Sequence, residues 1–307
     1  MNPRTLAGKR VVASLFLFIA GAPSPLLAET TTAHVYQAVG ELRMELEQIR
    51  QVMGKRAPRS REFKLEEAEP RQVFFQAQTL FRKCNQLAQE VAGVSRVQPG
   101  YAPEDRAIVP EDVLQLVQAS RSQLQHVRTT LGIEGKVDPP RLDRRKKSSD
   151  VMHDIIEAGY VLNRLTSTSH DWSQIYDRVY QAVAYLGGAL PEATRYPELE
   201  PFECCKMPQD VYARMALTME AARPIADSVD LSLIRITAVK QAEGGASTET
   251  VYDLTTTLIS DFGELTLRLN GEDISGPEYI RPTRILPSHV FQLAGVLETQ
   301  VNLLTAN

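Results

Sequence analysis

One short phrase recurs along the chain, and each copy opens a run of apolar residues at helical spacing. It consists of a proline, serine or threonine, two further residues, a β-branched residue and often an aromatic one. The copies begin TAHVY, PRQVF, PEDVL, SSDVM, WSQIY, PQDVY, TETVY and PSHVF, the fifth departing from the pattern with Trp172. The β-branched anchors are Val35, Val73, Val113, Val151, Ile175, Val211, Val251 and Val290. Behind each anchor, mostly apolar or small residues stand at +4, +7, +11 and +14, as in Val35, Val39, Leu42, Leu46 and Ile49. Alternating steps of four and three keep these side chains on one stripe of a helix, the pattern of a bundle seam.

Local signals bound the helices. Pro70, Pro110, Pro208 and Pro287 stand three before their anchors, in the first turn, where no N–H is needed. Thr32, Ser148 and Thr248 hold the same place and can cap. Gly54, Gly93, Gly132 and Gly271 punctuate helix ends. Pro224, inside the sixth pattern, predicts a kink or an early end.

Successive anchors are separated by 38, 40, 38, 24, 36, 40 and 39 residues, so the short interval divides them into two sets of four. Matched anchors of the two sets differ by 140, 138, 138 and 139 residues. This regularity predicts an all-α chain of eight main helices in two tandemly duplicated four-helix units, residues 29–165 and 166–307. The units would be bundles or a short helical solenoid, the latter if the connectors hold extra helices. Most connectors are long enough to run back along a helix of about 30 Å, so parallel and antiparallel helices both remain open. The connector at 166–171 is short and predicts an antiparallel hairpin of the fourth and fifth helices.

The N-terminus is expected to be a secretory signal peptide, residues 1–28. Arg4, Lys9 and Arg10 form its positive region, Val11 to Ala20 its apolar region, and cleavage is expected after Ala28, with Ala22 as the alternative. The apolar region is too short to span a bilayer, and no later stretch is apolar enough to do so. Removing its three cations takes the formal charge from −4 to −7, which disfavours nucleic acid as a partner. A periplasmic or secreted location follows.

Candidate chemistry is sparse. The residue after the anchor is aromatic at Tyr36, Phe74, Tyr176, Tyr212, Tyr252 and Phe291. A repeated ring is expected to pack against the preceding connector, although a row of rings could also stack a ligand. Cys84 falls on the core stripe of the second helix, and Cys204–Cys205 in the connector before the sixth. These thiols could form a disulfide, a redox site or a metal ligand pair, but neither C-x-x-C nor C-x-x-C-H occurs. His34, His126, His153, His170 and His289 lack zinc-binding helical spacing. Arg141, Arg144, Arg145, Lys146 and Lys147 form a basic run that could meet a partner or an anionic envelope polymer. Glu66, Glu67, Glu272, Asp273 and Glu278 are connector carboxylates with no visible pairing. No phosphate loop, G-x-S-x-G or H-E-x-x-H is present. The expectation is a non-catalytic exported binding or scaffold protein with an envelope protein as partner and no cofactor. The alternatives are a small-ligand sensor or carrier with a pocket between the units, and an enzyme of unrecognised type.

Overall fold

The computed structural model describes residues 30–57, 68–99, 107–167, 170–234, 246–271, 276–279 and 281–306. The expected signal segment lies outside them, as do Glu66, Glu67, Glu272 and Asp273. Among the described residues the protein is helical, with no strand. The helices are α1 (Thr32–Val52), α2 (Pro70–Ala92), α3 (Pro110–Thr130), α4 (Ser148–Leu165), α5 (Trp172–Gly188), α6 (Pro208–Ala221), α7 (Arg223–Ser228), α8 (Thr248–Arg268) and α9 (Pro287–Ala306). All eight patterns thus form helices, and the sixth is broken into α6 and α7 beside Pro224, which has no N–H to continue the ladder. One 3-10 turn, Glu192–Thr194, is the extra helix described in the connectors.

The stripe is buried at every position except Ala189 and Leu304, which are half-buried. Its polar members bond within their own helices: Ser120 donates to the Leu116 carbonyl (2.8 Å), Thr218 to that of Arg214 (3.0 Å) and Thr255 to that of Tyr252 (2.7 Å).

In six of the eight copies the residue before the anchor accepts, through its side chain, from the backbone N–H three residues earlier, supplying a partner at the helix entrance. At α5 and α8, Asp171 and Ser247 instead accept from Ser173 N–H and Thr250 N–H. His34 Nδ1 accepts from Thr31 (3.1 Å), Gln72 from Glu69 (2.7 Å), and Asp112 from Val109 (2.9 Å). Asp150 accepts from Lys147 (2.9 Å), Asp210 from Met207 (2.7 Å), and His289 Nδ1 from Leu286 (3.0 Å). His34 and His289 are therefore occupied in their own first turns. At the other ends, Gly54, Gly93 and Gly132 adopt left-handed φ. After α8 this conformation falls on Asn270 (φ 54°) instead of the expected Gly271, because asparagine tolerates it better than most residues.

Helix direction, open from sequence, is parallel within each set. The first turns of α1 to α4 meet around a cavity of about 50 Å³ lined by Thr32, Val35, Pro70, Val73, Pro110, Val113, Ser148 and Val151. In the second set, Lys206 N–H at the entrance of α6 donates to Ser288 Oγ at the entrance of α9 (3.1 Å). Arg178 of α5 reaches Tyr252 OH near the start of α8 (2.9 Å). At the opposite end, Thr266 of α8 donates to the Tyr185 carbonyl of α5 (2.8 Å). In each set the helices close into a ring. α1 and α2 each touch α3 and α4, and α5 and α6 each touch α8 and α9.

Two of the long connectors lie against helices at their described residues. Gln37 donates to the Pro140 carbonyl (2.7 Å), and Tyr180 to that of Pro277. Some of the rings after the anchors pack on connectors, but on those of neighbouring helices: Lys146 lies over Tyr36, Arg281 over Tyr176 and Lys206 over Phe291, whereas Phe74 and Tyr212 are buried in the two helical cores.

The short connector at 166–171 reverses the chain, so the second set runs against the first. For the expected antiparallel hairpin, α4 and α5 run in opposite directions but do not pack along each other. The main neighbours of α4 are α1 and α2, and those of α5 are α8 and α9. The sets join through α2 and α8, both buried around much of their circumference. Each core also borrows from the other: Phe75 of α2 packs in the second core, and Ile234 in the first.

Replacing Asp150 by alanine removes the acceptor at the entrance of α4. The unfolding free energy in urea should fall by about 1 kcal/mol, and Asp150→Asn, which keeps an acceptor oxygen, should recover most of the loss.

Candidate functional site

The α2–α8 contact is an antiparallel polar ladder. Arg268 meets Glu69 (3.0 Å), Gln72 donates to Asp261 (2.7 Å), and Gln76 donates to Thr257 (3.3 Å). Thr79 meets Thr256 (3.1 Å), and Lys83 pairs with Asp253, which also accepts from Asn163 (2.9 Å). On α2 the buried rungs Gln72, Gln76, Thr79 and Lys83 stand one residue before stripe positions. The helix therefore has an apolar face toward its own core and a polar face toward α8. A pocket between the sets was the alternative expectation, but here these side chains meet directly.

Arg178 enters the ladder from α5. Its guanidinium donates to Thr256 (2.7 Å), Thr79 (3.1 Å) and Tyr252 OH (2.9 Å), and lies 4.3 Å from the Tyr252 ring centroid. His170 stacks on the same ring at 3.6 Å. Burial first, then the nearby Lys83, lowers its pKa to about 4, so it is neutral at pH 7. Asp261 accepts from Gln72 and from the Ile234 N–H (2.9 Å). Both bonds favour the carboxylate, as does Arg223, but complete burial outweighs them and pushes the group up to about 7. The ladder is structural chemistry: its polar groups are spent on one another.

An open site lies on the outer side of α6. A groove of about 720 Å³ runs between α6, α9 and the connector at 200–206. Arg214 forms its floor. The guanidinium binds both oxygens of Glu200 (2.6 and 2.7 Å), reaches Glu298 (2.9 Å) and lies 4.6 Å from the Phe291 ring centroid. Gly295 of α9 permits this approach, since a Cβ there would collide with the guanidinium. The Arg214 bond holds Glu200 below the usual carboxylate range. Leu217 on the wall is 70% exposed, and Met207 and Phe202 stand out nearby. The groove therefore offers apolar surface beside a fixed charged cluster.

The other sequence candidates are dispersed. Cys84 is buried in the α1–α4 core, where burial pushes its thiol well up, whereas Cys204 and Cys205 are exposed before α6. The structure brings the latter two together but not with Cys84. The basic run is divided: Arg145 pairs with Asp143 (3.0 Å), Lys146 with Asp150 (3.3 Å), and Arg141, Arg144 and Lys147 are exposed. His126 and His153 are exposed on α3 and α4. Among the described residues, no group of three or more histidines, cysteines or carboxylates could hold a metal ion, and no helix is long and apolar enough to cross a membrane.

No protein family, curated protein or solved structure matches this chain. The site must therefore be read from its own geometry. Arg214, Leu217 and Phe202 were missed from sequence, where a half-apolar helix and a connector aromatic look ordinary. A usable signal was the contrast between α2, apolar through Val73-Phe74-Phe75, and α6, where Ala213 stands at the place of Phe75.

The buried Asp261 makes stability depend on pH. Its folded-state pKa is raised, so its contribution is complete below about pH 4 and is lost as pH rises through 7. His170, neutral in the fold and protonated when unfolded, gives the opposite trend between about pH 4 and 6.5, so the Asp261 contribution is read as the difference between wild type and Asp261→Asn. The stability of the wild type relative to the variant, from urea midpoints, should fall as pH rises from about 4 to 7; a difference that is constant or grows over that window would contradict this assignment.

Proposed function

We propose that this is an exported, non-catalytic interaction protein built by tandem duplication, and that it holds a helix of an envelope protein in the α6–α9 groove. Export rests on the signal-like residues 1–28. Duplication is supported by the nearly equal anchor offsets, the same order of neighbours in both rings, and a repeated hydrogen bond. Ala68 N–H donates to Ser149 Oγ (3.1 Å), and its counterpart Lys206 N–H donates to Ser288 Oγ (3.1 Å).

One observation carries the choice of site. Asp210, Ala213, Arg214 and Leu217 line the groove, and with the anchor offset of 138 their counterparts are Gln72, Phe75, Gln76 and Thr79. On α2 that face is covered by α8; on α6 it is open. A face that holds a helix in one unit is a reasoned place for a partner helix in the other. The carrier reading has one observation in its favour, a volume typical of small-ligand sites.

A photo-reactive residue at position 217, in cells producing the full chain, should cross-link to one dominant envelope protein. Ala213→Trp should abolish the cross-link by filling the groove while leaving thermal unfolding unchanged. A cross-link that persists with the groove filled would sink the proposal. No cross-link, together with a co-purifying small molecule lost in Ala213→Trp, would replace it with the carrier reading.

A further inference from the structure

The turn before α6 places two thiols in contact. Cys205 Sγ–H donates to Cys204 Sγ at 3.1 Å, and both residues are exposed. Cys205 has φ 67°, a left-handed conformation that costs a residue with a Cβ and persists only where its surroundings impose it. The surroundings are visible on both sides. Phe202 packs on His289 with ring centroids 4.8 Å apart. Lys206 is fastened by its N–H to Ser288 and by its ammonium over Phe291, at 4.1 Å from the ring centroid. Glu203 and Lys206 close the turn with an ion pair of 2.6 Å. The two thiols are thus held by a clamp anchored to α9.

We propose that Cys204–Cys205 is a reversible dithiol–disulfide site, oxidised by exchange with an external disulfide of the glutathione or oxidoreductase class. One sulfur, as thiolate, attacks the external disulfide, forming a mixed disulfide and releasing one thiolate. The second, as thiolate, attacks the first sulfur of the pair and releases the other thiolate. Two protons leave the cysteines, two electrons pass to the external disulfide, and a vicinal disulfide remains. The hydrogen bond from Cys205 to Cys204 raises the Cys205 thiol above its usual range, which fits Cys204 as first attacker and Cys205 as resolver.

Adjacent residues have Cα atoms about 3.8 Å apart, below the usual disulfide span of about 4.4–6.8 Å. The closed ring is therefore strained and readily reopened, as a reversible site requires and a structural staple does not. The chemistry is independent of what fills the neighbouring groove. Buried Cys84 is an internal control.

The reduced full chain would be incubated with oxidised glutathione, alkylated while folded, and digested with trypsin. Cleavage after Arg195 and Lys206 gives one peptide, Tyr196 to Lys206, holding both cysteines. The expected peptide has lost two hydrogens, carries no alkyl group, and regains two alkylation sites after dithiothreitol. Cys205→Ser should instead keep one glutathione on Cys204. Two free thiols, two retained glutathiones, or disulfide-linked dimers in the wild type would overturn the proposal. Both cysteines are exposed, so the serine variants should match the wild type in circular dichroism.

Discussion

Connector length governs this architecture more than any single contact. A helix of about 20 residues is about 30 Å long, so a chain that must begin the next helix at the same end needs a returning segment of at least about nine extended residues. The intervals 53–69, 93–109, 131–147, 189–207, 229–247 and 269–286 all meet that need, and 166–171 does not. The long intervals permit the parallel sets that the structure shows, and the short one forces the reversal between them. Parallel packing brings like helix-dipole ends together at the entrances. Asp112, Asp150 and Asp210 place carboxylates on those positive ends while bonding the entrance N–H groups.

The reversal makes α2 and α8 run in opposite directions, and the polar ladder depends on that geometry. Buried polar groups are tolerable when each finds a partner. Matched residues at helical spacing on two antiparallel helices provide partners along the whole contact. The same ladder fixes register, because sliding α8 by one turn would separate Lys83 from Asp253 and Gln72 from Asp261. The apolar stripes alone do not set the register of one set against the other.

The sequence disclosed what periodicity encodes: the eight helices, their buried stripes and the break at Pro224. It could not disclose direction, because a stripe at steps of four and three reads the same both ways and the connectors allow either course. The ladder was hidden for a different reason. Gln72, Gln76, Thr79 and Thr256 are residue types that ordinarily face water, and only a facing helix reveals that they are paired. His34 and His289 showed no role in the sequence because each accepts from a backbone N–H three residues away. The groove was hidden because it is defined by residues far apart in sequence, with Glu200 and Glu298 meeting on Arg214.

The open face of α6 is not simply α2 without its cover. Phe75, which reaches into the second core, corresponds to Ala213, which leaves space. Lys83, which pairs with Asp253, corresponds to Ala221, the last residue of α6. A helix shaped like α8 would find neither the ring nor the cation that secures it on α2. Instead the groove presents Leu217 and the edge of Phe291 beside an arginine already neutralised by two glutamates. With that charge spent internally, attraction at the groove must come chiefly from apolar burial, and a lining in which Glu200, Glu203, Asp210 and Glu298 face only Lys206 and Arg214 is net acidic, which disfavours an acidic partner face. The helix proposed for this groove should therefore carry an apolar stripe and neutral or basic flanks, a different occupant from the one α2 already holds.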